Sequence, residues 1–422
     1  MKRTAKALVA KAPARKAKPR ATPRRLVAIV TGSRAEFGLL RPVIDAVGAH
    51  AKLDLALIVA GSHLLPPTHT IREIARDYPI AAEVPMQRAS ESGAGTPRTR
   101  HHDAVALARG VDGFARAFET IKPDWVVVLG DRIEAFAAAC AASVAGLALC
   151  HIHGGDRAEG IADEAMRHAT SKLAHLHCAA TSASATRLIK LGERPEHIHV
   201  TGSPAIDGLR AIKPMSDADA HELGDPRVVV LLHPSNEPVP AHLVATPSMG
   251  ADAILAEQTW LGLPALGHDA FGRVLLMHPN HDAGREQILA SWRRVQPMTG
   301  WPMVDHLPRE RFVALLKRLA GPTRGLLLGN SSAGLIECAA LGVPAVNLGR
   351  RQAGRERGPN VIDADPFNTD TYTGALRRAM RLHDRLAPSA IFGDGRAGPR
   401  IAALLARTDP RNAELLRKRN TY

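Results

Sequence analysis

From Leu26 onwards, short unbroken apolar runs alternate with longer stretches in which apolar positions recur every three or four residues. Leu26–Thr31 (LVAIVT), Leu53–Ala60, Trp125–Leu129 (WVVVL), Leu147–His151 and Ile198–Thr201 read as strands buried on both faces, as parallel strands between helices are. Leu39–Ala49, Asp103–Ile121, Arg132–Ala145, Asp163–Ala174 and Ser182–Leu191 have helical length and lie between them. A second series of strands is predicted at Arg227–Leu232, Arg273–Met277, Leu326–Gly329 and Ala345–Leu348. A polar interval around Ala205–Asp225, containing Pro214, separates the two series. The pattern predicts an α/β protein of two Rossmann-like, doubly wound domains, over residues 26–207 and 208–395, with a helical extension over 396–422. Tandem domains of this kind take a ligand in the cleft between them, at the C-terminal ends of the strands.

Composition narrows the class. With 45% hydrophobic and 23% charged residues in a chain of 422, a disordered chain, a collagen-like fibre and a disulfide-stapled mini-protein are excluded. A formal charge of +14 would by itself suggest a nucleic-acid binder. Ten of the Lys and Arg residues, however, fall within residues 1–25, where there is no acid, leaving 45 basic against 41 acidic residues beyond. That stretch reads as a disordered, dispensable tail, with organelle targeting or loose polyanion contact as alternatives. The nearly neutral body, only 4% aromatic, has little to stack on bases, so no nucleic-acid partner is expected. No run approaches the ~18 apolar residues of a membrane span. The four cysteines stand singly, outside any Cys-x-x-Cys pair, which points to free thiols in a reducing, cytoplasmic setting.

Candidate chemistry gathers where predicted strands end. Thr31-Gly32-Ser33-Arg34-Ala35-Glu36-Phe37-Gly38 turns from strand to helix and suits an anion, with Arg34 to contact it, but lacks the Gly-x-Gly-x-x-Gly spacing of a dinucleotide loop. Gly130-Asp131-Arg132-x-Glu134 sets three charges at a buried strand's end, where α/β enzymes place their chemistry; this reading is favoured over helix capping by Asp131, since Arg132 opposes the helix dipole. His151-Ile152-His153-Gly154-Gly155-Asp156, with Asp163, Glu164, Arg167 and His168, is the densest polar cluster, fit for general acid–base work. Helix-start charges and an i,i+4 pair explain part of it, and two imidazoles with one acid on a single loop are a poor metal site. His233-Pro234 and the loop His278-Pro279-Asn280-His281-Asp282 end strands of the second series. Gly329-Asn330-Ser331-Ser332-Ala333-Gly334-Leu335-Ile336-Glu337 opens a helix with small and hydroxyl residues, which suits phosphate oxygens. The basic loop Gly349–Gly358 is placed to close over a diphosphate or to lie in solvent.

Taken in order, TGSRAEFGLL, LGDRIEAF, HIHGGD…DEAMRHATSKLAHLH, LGERPEHIHVTGSPAID, HPNHDAG, GNSSAGLIEC and GRRQAGRERGPNVID resemble the hydrolysing UDP-N-acetylglucosamine 2-epimerases of sialic-acid-type sugar biosynthesis, from about Leu26 to Asp363. The resemblance implies the GT-B fold, a homodimer or homotetramer, no cofactor or metal, and conversion of UDP-N-acetylglucosamine and water to N-acetylmannosamine and UDP through a 2-acetamidoglucal. It implies catalytic carboxylates at Asp131 and Asp163 and a substrate-contacting Arg132 and Arg34. Ser331, Ser332, Gly334 and His233 then fall at the diphosphate, with Asn280 and Asp282 on the facing loop, Glu337 at the ribose and Arg351 near the nucleoside. Where relatives carry Glu, this chain has the shorter Asp156, so the second acid/base is one of Asp156, Glu164 and His153. The same change fits a different sugar, a UDP-2,4-diacetamido-2,4,6-trideoxyhexose. A non-hydrolysing 2-epimerase, a GT-B glycosyltransferase, and a non-catalytic nucleotide-sugar or polyanion binder are the alternatives.

Overall fold

The computed structural model describes residues 24–66, 69–89, 99–158, 164–235, 238–244, 250–280 and 284–421. The tail, apart from Arg24 and Arg25, lies outside them, as do Asp163 and Asp282.

Seven parallel strands form the first sheet: β1 (Arg25–Thr31), β2 (Leu53–Ala60), β3 (Ile80–Val84), β4 (Trp125–Leu129), β5 (Ala148–Ile152), β6 (Leu176–Ala179) and β7 (Ile198–Val200). Six more form the second: β8 (Val228–Leu231), β9 (Val274–Met277), β10 (Met303–Val304), β11 (Leu326–Gly329), β12 (Ala345–Leu348) and β13 (Val361–Ala364). Their orders are β3-β2-β1-β4-β5-β6-β7 and β10-β9-β8-β11-β12-β13. Each sheet therefore reverses its winding once, between β1 and β4 and between β8 and β11, and a crevice opens at the strand ends beside each reversal.

The central strands are apolar throughout because both faces are covered; β4 and β8 are buried along their whole length. Helices pack on either side: Val43, Ile44 and Val47 of helix Arg34–Ala49 on one face of the first sheet, and Phe114 and Phe118 of helix Arg100–Ile121 on the other. Helix Ala397–Arg407, at the far end of the chain, returns to the first core, where Ile401, Leu404 and Leu405 are buried. Helix Arg34–Ala49 starts five residues before the predicted Leu39, because Ser33 caps it by accepting from the Glu36 N–H.

Candidate active site

The turn after β4 places Asp131 at the first reversal. Gly130, at φ 75°, lets the chain bend there, and helix Ile133–Val144 begins three residues after it. The Asp131 carboxylate accepts from the guanidinium of Arg167, which is almost fully buried in helix Glu164–Leu173. Burial works against the charge on Arg167, but Asp131, Asp156 and Glu164 together raise its pKa above the ordinary arginine value. Glu164 accepts from the Ala158 N–H at 2.9 Å and lies 3.4 Å from both Arg167 and His168. Arg167 thus ties Asp131 and Glu164 together, and it is the residue this cluster turns on.

After β5 the two histidines part company. His151 is turned into the protein, its Nε2 2.8 Å from the Gly130 carbonyl and its Nδ1 3.0 Å from Ser171 Oγ. Burial pushes its pKa down to about 3, so it is a neutral structural ring. His153 adopts φ 64° and turns the other way. Its Nδ1 lies 2.9 Å from Asp156 Oδ2 and its Nε2 3.0 Å from Ser203 Oγ. Asp156 accepts in addition from Ser184 Oγ at 2.7 Å. Burial opposes ionisation of Asp156, yet His153, Arg355 and Arg167 hold it well below the usual carboxylate range. Among the described residues no group of three or more His, Cys, Asp or Glu side chains is arranged to hold a metal ion.

Behind Asp131 sits a second, buried layer. Glu134 is fully buried, takes a 2.9 Å hydrogen bond from Gln87 and lies 3.3 Å from Arg132 Nε. Glu36 is its neighbour and accepts from the Gly32 N–H at 2.6 Å. Burial, reinforced by the Glu134 charge, pushes Glu36 up to about 8. Gly32 and Gly61 enclose this layer, since a Cβ on either would collide with the Glu134 side chain. Arg34 points outward to Glu73 at 2.9 Å.

The second reversal, between β8 and β11, carries a polar cradle. Asn330, wholly buried, accepts from the His233 N–H at 2.7 Å and donates to the His233 carbonyl at 2.8 Å. The Asn330 carbonyl accepts from Arg351 at 3.1 Å and from Gln352 at 2.9 Å. The Asn280 N–H donates to His233 Nδ1 at 3.1 Å, which leaves the ring proton of neutral His233 on Nε2. Ser331 caps the turn Ser332–Gly334, and the Gly334 carbonyl is fixed by Asn360 at 2.9 Å. Glu337 is buried, 3.8 Å from Arg309, and burial raises its pKa.

The structure thus gathers Asp131, Glu164, His153 and Asp156 around the C-terminal ends of β4 and β5, and His233, Asn280, Ser331, Ser332, Gly334, Glu337 and Arg351 around or after the C-terminal ends of β8, β9, β11 and β12. Further residues, not given a role from the sequence, join them. Arg309 reaches Glu337 and also donates to the Ala205 carbonyl. Arg355 on the basic loop is half-buried, close enough to Asp156 and Asp131 to feel both charges, and its Nε has no partner among the described residues. Ser203 and Glu356 lie within stretches that carry the family resemblance, but neither residue was given a role from the sequence. The run of arginines in the glycine-rich loop Gly349–Gly358 was the hint of Arg355.

The sequence profile described as UDP-N-acetylglucosamine 2-epimerase matches residues 45–406. The chain is 33% identical to the UDP-N,N'-diacetylbacillosamine 2-epimerase (hydrolyzing) of Legionella pneumophila over 94% of its own length and all of that protein. It is 30% identical to the UDP-N-acetylglucosamine 2-epimerase of Neisseria meningitidis serogroup B, covering 84% of this chain and 87% of the relative. In fold it resembles the Methanocaldococcus jannaschii UDP-GlcNAc 2-epimerase solved with UDP-GlcNAc and UDP, at TM-score 0.71 and 18% identity, over 91% of this chain and all of that one. That likeness, with the two parallel sheets, assigns the GT-B fold. The chain belongs to the UDP-N-acetylglucosamine 2-epimerase family.

Proposed function

We propose that the protein is a hydrolysing 2-epimerase of a UDP-linked 2-acetamido sugar. The observation that carries this reading is the pairing of two acid–base groupings, Asp131 with Arg167 and His153 with Asp156, opposite a cradle of N–H and guanidinium donors around Asn330. In the reaction a base takes the proton from C2 while the C1–O bond breaks, releasing UDP and a 2-acetamidoglycal. Water then adds across C1=C2, its hydroxyl to C1 and a proton to C2 from the opposite face. Asp131, Asp163, Glu164 and His153 are the candidates for moving these protons, with Asp156 as the partner of His153. His233 Nε2, the hydroxyls of Ser331 and Ser332, and Arg351 suit the departing diphosphate, and Glu337 suits the ribose. Arg34, Arg132, Asn280 and Asp282 complete the substrate contacts.

Two sugars fit this chemistry. The full-length match to the Legionella enzyme favours UDP-N,N'-diacetylbacillosamine. UDP-N-acetylglucosamine, which would yield N-acetylmannosamine, is the second reading and rests on the Neisseria relative. Proton NMR of the protein with each sugar decides. Free mannose-configured sugar plus UDP supports hydrolytic epimerisation, a UDP-linked epimer means the non-hydrolysing reaction, and binding without turnover means a sensor. Asp131→Asn should lower kcat by about 10³-fold, in the range of general acid–base contributions; unchanged turnover removes Asp131 from the reaction.

A further inference from the structure

The basic loop after β12 makes a contact that crosses the cleft. Glu356 accepts a hydrogen bond from Thr181 Oγ1, and its carboxylate lies 4.0 Å from Arg187 Nη1. Thr181 and Arg187 frame the first turns of helix Ser182–Lys190, which belongs to the first sheet's layer. That same turn carries the His153 loop. Ser184 Oγ donates to Asp156 at 2.7 Å, and Arg187 donates to the Gly155 carbonyl at 2.9 Å. Gly155, at φ 76°, lies so close that a Cβ would collide with the Ser184 carbonyl. Asp156 in turn fixes His153 at 2.9 Å.

We propose that Glu356 is a positioning residue: by gripping Thr181 and Arg187 it couples the docking of the nucleotide-side loop to the orientation of the His153–Asp156 pair. With the Thr181 proton committed to Glu356, the Ser184 proton goes to Asp156, and Arg187 is held between Glu356 and the Gly155 carbonyl. Glu356 and Arg187 are both mostly screened from water, with 21% and 27% of their side chains exposed, so the contact keeps more of its strength than a surface pair. Arg355, next in the chain, is delivered beside Asp131 and Asp156 by the same docking. The loop that closes on a diphosphate thereby assembles the acid–base side as it arrives.

The inference rests on the epimerase reading for its kinetic consequence but not for the coupling itself. In the full-length protein, Glu356→Ala and Thr181→Val should each lower kcat roughly tenfold with KM changed less than about threefold, the split expected when a group acts after binding. The double variant should be no slower than the slower single one, because both break one linkage. Thr181→Ser and Glu356→Gln, which keep a donor and an acceptor, should recover most of the activity. Hydrogen exchange with UDP present should show residues 151–158 exchanging faster in the Ala and Val variants at unchanged UDP affinity. Losses that multiply in the double variant, or unchanged exchange at 151–158, overturn the proposal. Should the wild-type protein release UDP from no sugar, the assigned reaction falls, and the exchange comparison still decides the coupling.

Discussion

Asp156 shows what one methylene decides. Its two oxygens are taken by His153 at 2.9 Å and Ser184 at 2.7 Å, and only 4% of the residue is exposed. A carboxylate bonded through both oxygens and buried in this way orients the imidazole. Asp156→Asn should therefore lower kcat by about 10²-fold at nearly constant KM, since the amide presents either the wrong atom or the wrong tautomer to His153; kinetics on the accepted UDP-sugar check this. Glu36 behaves oppositely. The folded protein keeps its proton up to about 8, whereas an unfolded glutamate releases it near 4.5. The folded state thus binds the extra proton between these values, and stability falls as pH rises through that window, by about 1.4 kcal/mol per pH unit at most. Glu36→Gln removes the dependence. Its melting temperature should exceed that of the wild type clearly at pH 8 and little at pH 5, as thermal scans at the two pH values will show.

At the scale of elements, two glycines of left-handed conformation separate packing from propensity. Gly329 ends β11 at φ 141°, and a Cβ there would run into the Leu231 carbonyl of β8. Gly146 has φ 70° with open space around its Cβ position. Gly329→Ala should abolish UDP binding or folding of the second sheet, whereas Gly146→Ala should cost only about 1 kcal/mol of backbone strain; urea unfolding of both tests the contrast. The same sheets explain what was readable in advance. Strands such as β4 and β8 announce themselves because central parallel strands are apolar on both faces. β6, reading LHCA, does not, since His177 hides its pattern by pairing with Glu193 at 2.9 Å, and β10 has two residues only. Edge strand β3 carries exposed Ala81 and Glu83, and β13 exposes Asp363. The acids after β4 and β5 were legible because they follow buried parallel strands, and the end of β4 lies at a switch point. Thr181 with Glu356, 175 residues apart, and His153 with Ser203, 50 apart, were not, since no local pattern encodes a contact made by folding.

The first core is closed by a helix from the far end of the chain. Helix Ala397–Arg407 lies on helix Arg34–Ala49 so closely that a Cβ on Gly398 would strike the Pro42 carbonyl. Its start is held by Asp207, which accepts from the Ala397 N–H at 2.9 Å and the Gly398 N–H at 2.7 Å, and its end by Arg25, which donates to the Leu405, Ala406 and Thr408 carbonyls. Asp207→Ala strips two charge-assisted bonds from the helix start and should cost about 2 kcal/mol in denaturant unfolding. Removal of residues 1–23, whose Lys, Arg, Ala and Pro make-up offers little apolar surface to fold, should leave turnover unchanged. Deleting 397–422 is different in kind. It leaves the outer face of helix Arg34–Ala49 and the end of β1 uncovered, although every strand of the first sheet is still present. The first core is therefore incomplete until the end of the chain has been made. A protein ending at Arg396 should be recovered in aggregates and bind no UDP, and co-expressing residues 397–422 as a separate peptide should restore soluble, UDP-binding protein. Soluble, UDP-binding protein from the truncated chain alone would show that the first sheet completes its core without the returning helix.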